Sequence, residues 1–117
     1  VSKPWQTYAL HILDAAQKIE GIRNRGDLLT DEVFYAATLR HLQTLSEATQ
    51  ALPQQLKDSH TQIPWREISG FRNILVHNYL GEIDALAVLR VLENQLPQLV
   101  QAVQSMLADS GHRHPFP

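Results

Sequence analysis

The segment Phe71-Arg72-Asn73-Ile74-Leu75-Val76-His77-Asn78-Tyr79-Leu80-Gly81 sets a guanidinium, two carboxamides, an imidazole and a phenol into a run otherwise suited to a core. Burying such groups costs free energy unless they find partners, so their density asks for a reason. One reason is chemical. Cleaving RNA through its 2′-hydroxyl needs a group that exchanges a proton near neutral pH, and imidazole suits this best. It also needs fixed positive charge at the phosphate, where a planar guanidinium can hold two oxygens. Arg72 and His77 supply these groups, and Asn73 adds a neutral donor. No metal is needed for this chemistry. The other reason is structural. His77 falls near a helix C-terminus, where a cationic imidazole is stabilised by about 0.3–1 kcal/mol. Arg72 can pair with Glu47 or Glu67, and Tyr79 can pack in the core with its hydroxyl at the rim.

Spacing constrains the chemical reading. On an ideal helix Arg72 and His77 lie about 140° apart, whereas Arg72 and Tyr79 lie about 20° apart. The groups converge if the helix loosens near His77, or if the site combines residues of two subunits across a twofold axis. The second arrangement gathers two arginines and two histidines around one phosphate. It would form a basic pocket on a chain whose formal net charge is −2.

Helices must position these residues. Tyr8, Ile12, Ala15, Ile19 and Ile22 form one stripe of a first helix, from about Trp5 to about Gly21, followed by the basic stretch Ile22-Arg23-Asn24-Arg25 before Gly26. A second helix is expected after Thr30 as N-cap, with Phe34, Ala37, His41, Leu45, Ala48 and Leu52 in register. Leu39, Leu42 and Tyr35 widen its apolar face, and Pro53 ends or kinks it. The polar stretch 54–62 has room for one short helix. Pro64 opens a third long helix, Trp65 to about Leu80, which Gly81 stops. Asp84 can cap a fourth, about Ala85 to Leu107, with a kink or short break at Pro97. No alternating strand pattern or hairpin turn is present. The expectation is an all-α fold: one antiparallel bundle of four to five helices over residues 1–110, with a loose tail over 111–117.

Composition excludes several functions. The 117 residues include no Cys, which removes disulfides, thiolate nucleophiles and zinc–thiolate sites. The opening Val1-Ser2-Lys3-Pro4-Trp5 has no apolar signal core, and no stretch approaches the roughly 20 apolar residues of a membrane span. A cytoplasmic location is expected. The slight negative charge argues against a broad basic surface that coats nucleic acid. There is no phosphate-binding glycine loop and no serine nucleophile elbow. His112 and His114 alternate rather than sharing a helical face, so a metal site there is not expected.

The motif Arg72-x4-His77-x-Tyr79 resembles the R-x4-H-x-Y signature of HEPN-domain toxins of the HepT type. The similarity runs along nearly the whole chain. His11-Ile12-Leu13-Asp14-Ala15-Ala16-Gln17-Lys18-Ile19-Glu20 looks like that family's first helix, and Leu39-Arg40-His41-Leu42 with Ser46-Glu47-Ala48 like its second. Ile63-Pro64-Trp65-Arg66-Glu67-Ile68-Ser69-Gly70-Phe71-Arg72-Asn73 looks like the start of its motif helix. The resemblance implies a helical-bundle homodimer with the motif in the dimer cleft, acting as a metal-independent ribonuclease and needing no cofactor. It implies a toxin whose partner, a minimal nucleotidyltransferase antitoxin, uses ATP to transfer AMP onto the motif tyrosine. By that implication Arg72 binds phosphate, His77 performs acid–base catalysis and Tyr79 accepts AMP. The alternative is a non-catalytic HEPN module that docks the nucleotidyltransferase and is modified by it. Two departures stand out: Glu82 is an extra residue in the turn after the motif, and His41 follows Arg40 where a small polar residue is common. His41 is then either half-buried packing or a second imidazole near the site.

Overall fold

The computed structural model describes residues 4–77 and 85–111, except the side chains of 72–77. Six helices follow in order: α1 (Trp5–Arg23), α2 (Glu32–Gln50), α3 (Gln54–Asp58), α4 (Trp65–His77), α5 (Ala85–Asn94) and α6 (Leu96–Asp109). No strand occurs among the described residues. The fold is all-α, as the 3.6-residue periodicity requires. The sixth helix arises at Pro97. Proline has no N–H to give the Glu93 carbonyl, so the expected fourth long helix breaks at Gln95 and resumes with Pro97 in the first turn of α6.

The stripe of α1 is buried through Ala9, Ile12, Leu13, Ala15, Ala16 and Ile19, with Tyr8 and Ile22 at its margins. This stripe packs on α2 and on α6. Helix α2 buries a second face against α4, as its wide apolar surface demands, while α5 runs into α6 through Gln95 alone and adds Val88 and Leu92 to the core. The interior is filled by Ile12, Ile19, Val88, Leu92, Leu99, Val103, Met106 and Leu107, all almost fully buried. Among the described residues no helix is long and apolar enough to cross a membrane.

Two helix ends differ from expectation. The N-cap of α2 is Asp31 rather than Thr30. Its carboxylate accepts from the Val33 N–H at 2.9 Å and the Phe34 N–H at 3.1 Å, satisfying two donors that the helix start leaves open. Helix α1 continues past Gly21 to Arg23, whose guanidinium bonds Glu20 at 2.9 Å one turn back. Gly26, not Gly21, is the glycine the turn needs. A Cβ there would collide with the Phe34 ring, which closes over the α1–α2 connection. The expected stop at Gly81, the cap at Asp84 and the tail beyond Gly111 lie outside the described residues; Gly111 itself, at φ 83°, turns the chain out of α6.

Candidate functional site

Helix α4 holds three of the four candidate residues, and its start explains how they are held. Pro64 precedes the helix, and its carbonyl accepts from the Ile68 N–H at 3.1 Å. The Trp65 indole N–H reaches both the Lys57 and His60 carbonyls at 3.0 Å, tying α4 to the end of α3. Ser69 meets Thr49 of α2 through their hydroxyls at 3.0 Å, and Gln50 donates to the Ser69 carbonyl at 3.2 Å. Ile68 and Phe71 face Leu42, Leu45 and Ser46 of α2, with Val91, Leu96 and Leu99 beyond. These pairings run antiparallel, so the last turn of α4 approaches the middle of α2.

Beneath this anchor lies a buried cation. Lys57 is 9% exposed, and its ammonium donates to the Thr49 carbonyl at 3.1 Å. Thr49 is in the last turn of α2, where carbonyls lack helical partners and the helix dipole favours positive charge. Burial still pushes the Lys57 pKa below 10.5, against the attraction of Asp58. Nothing in the sequence marked Lys57, because whether an amine reaches a carbonyl eight residues back depends on the turn between them.

Arg72, Asn73 and His77 all lie on α4, which is a continuous helix through His77. The backbone therefore does not loosen between Arg72 and His77, and the separation of about 140° stands. On the helix wheel His77 lies opposite Ile68, while Arg72 follows Ile68 by one turn. Tyr79, and with it Glu82, is outside the described residues. His41 sits on the edge of α2 that adjoins α1. Burial first, then the charges of Lys18 and Arg40, lower its pKa below 6.5, and Asp14 opposes them. The α2 residues that meet α4 (Leu42, Leu45, Ser46 and Thr49) occupy a different face. Half-buried packing between α1 and α2 is the role the geometry gives His41.

Comparison with known proteins gives this helix a context. A protein of Caldanaerobacter subterraneus named as a candidate RNase is 30% identical over 104 residues, covering 86% of this chain and 91% of that one. A probable ribonuclease HepT of Thermococcus cleftensis is 33% identical over 73 residues, 62% of this chain and 66% of that one. A protein of Methanocaldococcus jannaschii named as a gamma-glutamylcyclotransferase and candidate RNase is 26% identical over 110 residues; the match takes in 92% of this chain and 49% of that longer protein. No solved structure matches. The family model described as ribonuclease HepT-like matches residues 12–106, from the first stripe of α1 to the end of the core in α6, and the chain belongs to that family.

Proposed function

We propose that this chain is a metal-independent RNA endonuclease, the toxin of a toxin–antitoxin pair, with Arg72 and His77 as its catalytic residues. The observation that carries the reading is the order Arg72-x4-His77-x-Tyr79, with Arg72 and His77 on one helix, in a chain of the ribonuclease HepT-like family. The 2′-hydroxyl attacks the adjacent phosphorus, the P–O5′ bond breaks, and the products are a cyclic phosphate and a 5′-hydroxyl. His77 exchanges the protons of this step, and Arg72 offsets the charge that grows on the phosphoryl oxygens. Asn73 supports the phosphate as a neutral donor.

A straight α4 keeps Arg72 and His77 of one chain on separate faces, which favours a homodimer in which each chain completes the other's site. A nucleotidyltransferase antitoxin silences the enzyme by transferring AMP from ATP to Tyr79. The added phosphate brings negative charge and bulk to the cleft that must admit the RNA phosphate. The location that fits is the cytoplasm. The test is cleavage of a labelled RNA by the purified chain in the presence of a metal chelator. Wild type cleaves, while Arg72→Ala and His77→Ala do not. Mixing the two inactive variants restores part of the activity if the site is shared between subunits. Full activity in both single variants overturns the assignment.

A further inference from the structure

Apolar packing alone does not fix where α4 lies along α2. Ile68 and Phe71 meet Leu42 and Leu45, and each pair follows helical spacing. Burial has no direction, so a slip of one turn, about 5.4 Å, exchanges apolar neighbours for apolar neighbours. Hydrogen bonds do have direction, and one of those between α2 and α4 is centred on a buried group. The Thr49 hydroxyl, on a residue 0% exposed, donates to the Ser46 carbonyl at 2.7 Å. A hydroxyl has one proton. With that proton committed inside α2, the 3.0 Å contact to Ser69 requires the Ser69 hydroxyl to donate to Thr49. Thr49 is held from a third side by the Lys57 ammonium, which reaches its carbonyl at 3.1 Å. Lys57 also closes a second link, because its own carbonyl takes the Trp65 indole N–H at 3.0 Å. Thr49 is thus tied to α4 at two points about one turn apart, directly at Ser69 and through Lys57 at Trp65. Two such points fix both the sliding of a helix along its neighbour and its rotation.

We infer that Thr49 is a positioning residue: its hydroxyl sets the register of α4 on α2, and through α4 the place of Arg72 and His77. In a slipped register the Thr49 oxygen loses Ser69 as donor, and a group this buried is out of reach of water. That cost falls on the slipped arrangements and spares the native one, which is how a buried polar group specifies register. The helix is continuous from Trp65 to His77. A fixed Ser69 therefore fixes the backbone at Arg72, less than one turn on, and at His77, about two turns on. The bearing on catalysis rests on the ribonuclease reading; the register lock does not.

The experiment reads register and cleavage separately. The chain has no Cys, so Ala36→Cys on α2 and Arg66→Cys on α4, both at exposed positions, accept two nitroxide labels, and pulsed electron resonance gives the distance between them. The labelled parent is expected to show one narrow distance. Thr49→Val, which keeps the shape and removes the hydroxyl, is expected to broaden or shift it by up to the 5.4 Å or so of one turn. Thr49→Ser, which keeps the hydroxyl, is expected to leave it narrow. In unlabelled chains, Thr49→Val is expected to lower kcat for a labelled RNA about tenfold or more, with KM moving less than about threefold, as for reacting groups held out of place. Thr49→Ser is expected to cleave within about twofold of wild type. Should Thr49→Val fail to fold, Ser69→Ala removes the same bond from the other side and is read in its place. An unchanged distance without the hydroxyl overturns the lock, and so does a shift of equal size in Thr49→Ser. A shifted distance with unaltered kcat overturns the positioning role and leaves the lock standing. If the wild type does not cleave RNA, the ribonuclease reading and the positioning role fall together, while the distance still decides the lock.

Discussion

The two halves of α4 are built on opposite terms. From Trp65 to Phe71 the polar groups described above are spent on neighbours: the indole on two α3-end carbonyls, and Ser69 on Thr49 and Gln50. From Arg72 to His77 the sequence sets a guanidinium, a carboxamide and an imidazole on the same helix. On the proposed reading, anchoring and chemistry are segregated along one helix. A fixed first half lets the second carry costly polar groups in a defined place. If so, damage to the first half costs stability and damage to the second costs activity.

The largest expected effect tests the second half. His77→Ala should lower RNA cleavage by about 10²–10⁴, the usual contribution of a positioned acid or base. Its melting midpoint should stay within about 2 °C of wild type if the residue serves activity rather than packing. A large fall in the midpoint with cleavage retained would reverse the division. In the first half, Trp65→Ala should cost about 3 kcal/mol of stability in urea unfolding. Trp65→Phe keeps most of the volume but removes the indole N–H from the Lys57 and His60 carbonyls, which keep their backbone donors, and should cost about 1 kcal/mol. Should the phenylalanine variant lose as much as the alanine variant, the indole N–H, and not the bulk, is the anchor.

The two halves were also unequally legible in the sequence. The helices could be read because their apolar stripes repeat every 3.6 residues, and the break near Pro97 because a proline inside a helix removes a donor wherever it stands. The cap of α2 was misplaced by one residue: Thr30 and Asp31 are both good acceptors, and only the fold decides which meets the Val33 and Phe34 amides. Gly21 looked like a stop, yet no positive φ is needed there and α1 continues. Lys57 left no local trace, because its contact with the Thr49 carbonyl depends on the turn between them. The same rule divides the candidate site. The Arg72–His77 spacing is local and readable. Convergence on a phosphate is not, because a continuous α4 sets the two positions about 140° apart, and the proposed remedy is another subunit.

Two buried polar groups sharpen the contrast at smaller scale. The Lys57 ammonium is held by a helix-end carbonyl, whereas the Thr38 hydroxyl, fully buried on α2, has no hydrogen-bond partner among the described residues. Lys57→Met should destabilise by about 1 kcal/mol, because the Thr49 carbonyl loses the ammonium and keeps only the Leu52 N–H at 3.3 Å, while the stem stays packed. Thr38→Val should stabilise by about 1 kcal/mol, because a buried group without a partner is removed. Opposite signs in the same urea experiment support this account of the two sites, and a shared sign refutes it.

The smallest effect concerns His41, the α2 residue for which the sequence allowed both packing and chemistry and whose surroundings favour packing. Burial and the nearby Lys18 and Arg40 hold its pKa below 6.5, with Asp14 in opposition. The unfolded chain therefore takes up its proton at a higher pH than the folded chain does. Between the two values the unfolded state binds more protons, so the His41 contribution to stability rises with pH and is lost on acidification. His41→Gln keeps a polar side chain of similar reach without this titration. Its stability should fall less than that of wild type between pH 7 and pH 5, with the difference confined to the region below 6.5. A catalytic imidazole would instead shift the pH profile of cleavage and leave the acid dependence of unfolding alone. The urea midpoint and the cleavage profile of this one variant thus distinguish packing from chemistry at the position where the sequence allowed both.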